Sequence, residues 1–256
     1  MQLFLLSLRQ TDKQKPNLFN VYYMKMKKTL FLLAGVLLLS ACSINFRSSR
    51  KKHEPLTTKT PEVKPFERIE VAGCFDVFYT QSDSTSVRIE APASALSKLD
   101  IQSDGRTLRI GEVRELTSFS SIRAMEDVKV YVTSPDLVAA EMAGSGDFKA
   151  IGHVDTDELR LSIAGSGEIS FDDIICNSIK ADLAGSGDVV LGNVTTVKAS
   201  FSIAGSGDIK AYFTQCDKVN TNIAGSGDVK ISGHVKQHQE SVAGTGEVDV
   251  TGVIAN

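Results

Sequence analysis

The chain has 256 residues, 42% of them hydrophobic and 23% charged, with 20 glycines, no tryptophan and a formal net charge of −3. It is long and apolar enough for one buried core, and its balance of charge argues against nucleic acid as a partner.

Residues 1–25 carry Leu3-Phe4-Leu5-Leu6 and then a polar run, a pattern of neither a leader nor a domain. They read as an upstream start artefact, with initiation at Met24 or Met26. Residues 26–42 follow as a positive Lys27-Lys28, a short apolar stretch over 30–39, and Leu39-Ser40-Ala41-Cys42. This is a secretory signal, too short to span a bilayer. Its last four residues resemble a bacterial lipobox, which makes Cys42 the lipidation site. Ser43 in place of an aspartate implies, by resemblance to lipoprotein sorting, the outer membrane; the periplasmic side is expected, with surface display as the alternative. Loss of residues 1–42 removes six basic residues and one acid and leaves 22 Lys+Arg against 30 Asp+Glu. Residues 43–65 hold three prolines and several threonines and read as a disordered tether, with Arg47, Arg50, Lys51 and Lys52 as a local basic run.

From Phe66 onwards short alternating runs predict strands: Ile69-Glu70-Val71, Val77-Phe78-Tyr79, Val87-Arg88-Ile89-Glu90, Leu108-Arg109-Ile110 and Val128-Lys129-Val130-Tyr131-Val132. Residues 116–125 are expected to form an excursion loop. Then Ala143-Gly144-Ser145-Gly146-Asp147 opens a series of six Gly-Ser/Thr-Gly-Asp/Glu motifs within 143–256, with later copies starting at Ala164, Ala184, Ala204, Ala224 and Ala243. A period near 20 residues is the signature of stacked repeats. Apolar residues alternate on both sides of each motif, so two short strands are expected around each pair of glycines. One such unit cannot bury its apolar face alone, whereas parallel stacking at ~4.8 Å places like residues over like. The fold class is therefore all-β, a parallel β-helix (β-solenoid) with coils of ~20 residues. A leucine-rich repeat is the main rival, but the chain lacks its leucine pattern and any helix-period segment.

Phe66-Glu67-Arg68-Ile69-Glu70-Val71-Ala72-Gly73, the run from Val128 to Leu137 and the Gly-Ser-Gly-Asp series together resemble the auto-transporter adhesin head GIN domain family, over residues 66–256. The resemblance implies a right-handed parallel β-helix in a cell-envelope protein of Bacteroides-type bacteria, and no established activity. The irregular strands before 143 are expected to be atypical coils that cap the N-terminal end.

Stacking puts Asp147, Glu168, Asp188, Asp208, Asp228 and Glu247 in one ladder. Each carboxylate reads first as an acceptor of a backbone N–H at the bend. The rival reading is a calcium ion held by hard oxygens, with Glu168 and Asp188 as the candidate ligands. Those two repeats lack the lysine that stands two residues after the acid in Lys149, Lys210 and Lys230, which is expected to lean over the ladder. His153 and His234 fall too many coils apart to meet, and Arg160 has no acid–base partners in prospect. Tyr212-Phe213 offers one ring to water and a sugar contact. Cys176 and Cys216, two periods apart, are expected in one column as buried unbridged thiols, since ~9.6 Å exceeds disulfide reach. The function expected is a non-catalytic, lipid-anchored envelope module of adhesin or scaffold type that contacts a glycan or an envelope protein. The alternatives are a polysaccharide-acting enzyme of pectate-lyase-like fold and a periplasmic structural or stress module.

Overall fold

The structure, a computed structural model, describes residues 54–112 and 125–251. The expectations for 1–25, for the signal at 26–42 with Cys42, for 43–53 and for 116–124 fall outside these residues. Met125, at the end of the expected loop, is buried.

The repeats form the β-solenoid their period demands. Strands β9 (Phe148–Gly165), β10 (Glu168–Gly185), β11 (Asp188–Gly205), β12 (Ile209–Gly225) and β13 (Val229–Gly244) stack in parallel, followed by β14 (Val248–Thr251). Equivalent positions lie in register: Ala164 pairs with Ala184, Ala184 with Ala204, and Ala204 with Ala224. Eighteen extended residues would reach ~60 Å, so each strand must turn. Burial shows where. In β10 the inward residues are Ile169 and Phe171, then Ile174 and Cys176, then Ile179, Ala181 and Leu183, so the alternation slips twice before the glycine corner. A register shift between Phe171 and Asp173 marks the first slip as a bulge. Each coil thus has three straight sides. The two separate strands expected per repeat are sides of one continuous strand, because the bulges bend the chain without ending its pairing.

The N-terminal region belongs to the same stack but in permuted order. Strand β2 (Arg68–Gly73) lies in parallel between β6 (Thr107–Glu112) and β8 (Ala139–Gly144), and β3 (Asp76–Gln81) lies between β7 (Lys129–Ser134) and β9. Residues 68–81 therefore form a coil inserted between rungs that come later in the chain. Strand β4 (Ser86–Pro92) pairs antiparallel with β7, and β5 (Leu99–Ser103) antiparallel with β6, with the single turn α1 (Ala93–Leu96) between them. Antiparallel strands close this end, as capping requires.

One part of the expected tether is ordered. Leu56–Lys59 forms β1, antiparallel to β4. The edge of β4 presents unpaired backbone groups, and the β-branched Thr57 and Thr58 suit a strand there.

The core is one continuous column system. Tyr79, Phe148 and Phe171 stack across three rungs with centroids 6.3 and 5.9 Å apart. Phe201 and Phe213, on different sides of adjacent coils, stack across the core with centroids 6.2 Å apart. The Tyr79 hydroxyl meets the buried Ser134 Oγ at 3.1 Å, which satisfies the polar end of an otherwise apolar side chain.

Candidate functional site

The glycine corner is built by contact between rungs. The first glycine of each motif has positive φ, from 135° at Gly185 to 153° at Gly165. A Cβ on Gly165 would stand 1.9 Å from the Gly144 carbonyl oxygen, and one on Gly205 would stand 2.0 Å from that of Gly185. The second glycine is excluded from having a side chain by closeness alone: a Cβ on Gly207 would lie 1.8 Å from the Gly187 oxygen. The residue between them faces solvent, and its N–H donates to the glycine carbonyl of the preceding rung, as from Ser206 to Gly185 at 2.8 Å.

The acid row forms a relay of hydrogen bonds. The amide of each acid donates to the carboxylate one rung before it: Asp208 to Asp188 at 2.9 Å, Asp228 to Asp208 at 3.0 Å, Glu247 to Asp228 at 2.8 Å and Glu168 to Asp147 at 3.1 Å. The row starts earlier than the repeats, because Asp76 accepts from Asp147 at 3.3 Å and itself lies opposite Lys129. Burial, opposed by the Asp147 amide and reinforced by the Asp147 charge, pushes the Asp76 carboxyl above the usual carboxylate range. The relay is interrupted once. The amide of Asp188 donates to the Gly167 carbonyl at 3.0 Å rather than to Glu168, whose extra methylene takes its carboxylate out of place.

The lysines do not serve the ladder as expected. Lys230 lies 3.8 Å from Asp249 on the next rung, and no ion pair joins Lys149, Lys210 or Lys230 to a ladder acid among the described residues. Lysine and acid stand two residues apart on a straight side, and the carboxylates are held toward the neighbouring rung by amides. Charge in the row is therefore offset by backbone N–H groups. Of the two candidate calcium ligands, Asp188 spends one oxygen on the Asp208 amide, and no group of three or more His, Cys, Asp or Glu among the described residues is arranged to hold a metal ion.

The other expected residues are scattered. His153 bonds Asp173 through Nδ1 at 2.6 Å, His234 is exposed, and His238 lies 3.3 Å from Thr221 Oγ1. Arg160 is on the side before the glycine corner, beside Glu158 at 3.6 Å, while Glu168 and Asp188 follow the corner. They do not converge on a reacting centre. Tyr212 is 47% exposed and Phe213 fully buried, so the pair does present one ring to water. Cys176 and Cys216 are buried and unbridged in one inward column, with Thr196 between them, and the Cys176 thiol donates to Thr196 Oγ1 at 3.5 Å. Burial pushes the Cys216 thiol up to about 11.

Among the described residues, surface concavities accompany the columns, and three bear on function. One of ≈ 370 Å³ lies near the N-terminal end over Ala72, Ala143 and Ala164, rimmed by Glu70, Asp100, Arg109 and Glu141. Arg109 is held there by Glu70 at 3.0 Å and Asp104 at 2.8 Å. A second, of ≈ 290 Å³, exposes Ile175 and Val197 among Asp155, Asp157 and Asp217. A third, of ≈ 390 Å³, is lined by Arg160, Lys180 and Lys198 with Ser178, Ser200 and Asn220. The sequence reading missed this last grouping, because its cations recur by rung but change column.

The family model described as the putative auto-transporter adhesin, head GIN domain, matches residues 65–254. Solved structures share the fold. A "putative lipid binding protein" from Parabacteroides distasonis aligns with a TM-score of 0.61 at 19% identity, covering 77% of this chain and 97% of its own. A "putative adhesin" from Bacteroides fragilis aligns with 0.60 at 22% identity, covering 79% and 98%. Another "putative adhesin", from Parabacteroides merdae, aligns with 0.60 at 20%, covering 77% and 96%. No curated protein matches the chain significantly. No helix among the described residues is long and apolar enough to cross a membrane.

Proposed function

Because the chain belongs to the family of the auto-transporter adhesin head GIN domain, we propose that it is a non-catalytic interaction module of the cell envelope, which contacts a glycan or an envelope protein through the sides of its solenoid. The observation that carries this reading is the registration of outward columns. Ser162, Asp182, Ser202, Asn222 and Ser241 align on one side, with Ala164, Ala184, Ala204, Ala224 and Ala243 next to them. Such rows present small side chains, polar in one column and apolar in the next, every ~4.8 Å, a surface suited to an extended partner rather than to a single reacting group. The dispersed histidines, Arg160 and ladder acids support binding over turnover in the same way.

In this reading Cys42 carries the lipid anchor and residues 43–53 lead to the solenoid, at the outer membrane and facing the periplasm. The test has two arms. Cys42→Ala should release the protein from the membrane fraction, and the full chain should select partners on a glycan array or by cross-linking in intact envelopes. Retention of Cys42→Ala with membranes after carbonate washing would defeat the anchor, and the absence of any selected glycan or envelope protein would defeat the module.

A further inference from the structure

One side of the solenoid concentrates positive charge in a chain that is acidic overall. Arg160 is in register with Lys180 on the next rung. Lys198 and Lys218 are in register with each other on the two rungs after that, in the column two residues earlier. Four successive rungs therefore contribute one cation each, and the row runs ~14 Å parallel to the solenoid axis. Ser178, Ser200 and Asn220 stand beside these cations, and with Glu158, Arg160, Lys180 and Lys198 they line a depression of ≈ 390 Å³; Lys218, in register with Lys198, lies outside that lining.

Like charges directly opposite on neighbouring strands are destabilising, so such a row calls for compensation. Half of it is present. Arg160 faces Glu158 at 3.6 Å and Lys180 faces Asp182 at 2.5 Å. Lys198 and Lys218 have no carboxylate within 4.0 Å among the described residues, and Asp217 beside them is taken by Lys236 at 2.7 Å.

We infer that this row binds a linear anionic polysaccharide lying parallel to the solenoid axis, with its carboxylate or sulfate groups against Lys198 and Lys218. The inference rests on the interaction-module reading and gives that module a ligand class. Cations that recur one per rung in and beside a depression, with one sideways step of two residues, fit a polymer whose charges recur along its length, while Ser178, Ser200 and Asn220 supply donors and acceptors for sugar hydroxyls. A bilayer would instead require cations spread over a plane, and here Glu158 and Asp182 border the row with negative charge.

The test uses the full chain in biolayer interferometry against immobilised polygalacturonate, a sulfated glycan of heparin type, and neutral dextran, alongside flotation with phosphatidylglycerol vesicles. The compared variants are Lys198→Glu/Lys218→Glu and, with an equal charge change on another side, Lys149→Glu/Lys210→Glu. Thermal melts establish that both fold. The expected result is binding to the carboxylate or the sulfate polymer that weakens with salt, falls about tenfold in Lys198→Glu/Lys218→Glu and stays within about twofold in the control pair. The arm that binds tells uronate from sulfate. No binding to either polymer at low salt, equal loss in both variants, or preference for the vesicles overturns the row as a polysaccharide site. Selection of a neutral glycan that survives Lys198→Glu/Lys218→Glu would also overturn it while leaving the module reading intact.

Discussion

The amide of Asp228 donates to the carboxylate of Asp208, 3.0 Å away on the preceding rung. One residue thus bends its own coil and fastens the next. Asp208→Ala leaves that amide without its partner and should cost about 1–2 kcal/mol, whereas Asp208→Asn keeps an acceptor, relieves like charge and should be nearly neutral. Glu168→Ala should also be nearly neutral, because among the described residues no amide donates to Glu168, the Asp188 amide going to the Gly167 carbonyl instead. Urea unfolding of the three variants checks the order, and equal losses at Asp208→Ala and Glu168→Ala would contradict the relay.

Glycine has different reasons at different places. Gly205→Ala meets both a φ of 146° and a carbonyl oxygen 2.0 Å from the new Cβ, and should destabilise by more than about 3 kcal/mol. Gly152 has a φ of 82° but open space around its Cβ position, so Gly152→Ala should cost only about 1–2 kcal/mol. Thermal melts of the two variants separate packing from backbone preference.

These corners show what was legible in the sequence. Period, register, inward columns and the Cys176–Thr196–Cys216 alignment all follow from counting, since stacking maps sequence distance onto space. The coil at 68–81 escaped the count because Cys74 and Phe75 replace the serine and glycine in Ala72-Gly73-Cys74-Phe75-Asp76. The Ala-Gly pair, with Asp four residues after the alanine, was the signal that could have found it. Its place between later rungs was not legible, because repeat counting assumes that chain order equals stacking order. The basic row was hidden by its step between columns from Lys180 to Lys198.

Phe75 occupies the position held by glycine in the later coils, and it is fully buried. Its ring fills the corner there, within 2.4 Å of where a Cβ on Gly73 would stand. Phe75→Ala should therefore cost about 3–5 kcal/mol, and Phe75→Gly should not rescue it despite restoring the repeat consensus. A consensus variant more stable than the natural chain in chemical denaturation would contradict this packing.

Alkaline pH should destabilise the fold. Burial raises the Cys216 thiol to about 11, and burial raises the Tyr79 phenol to about 12, opposed by its hydrogen bond to Ser134. Folding thus favours the protonated forms. Their contribution is fully present below the unfolded values, near 9 and 10, and is lost as pH rises through about 11 and 12. Unfolding free energy measured from pH 8 to 11 should fall, and Cys216→Ser should flatten the lower part of the decline. The same burial predicts slow alkylation of Cys176 and Cys216 at pH 8 until the protein unfolds.

The most direct test of binding without turnover follows both in one sample. The full chain is incubated with polygalacturonate, bound polymer is read by interferometry, and polymer length is read by size-exclusion chromatography after prolonged incubation. The account predicts salt-sensitive binding with the length distribution unchanged. Progressive shortening of the polymer that is lost in Arg160→Ala or Lys198→Glu/Lys218→Glu would contradict it and make this side of the solenoid an active site.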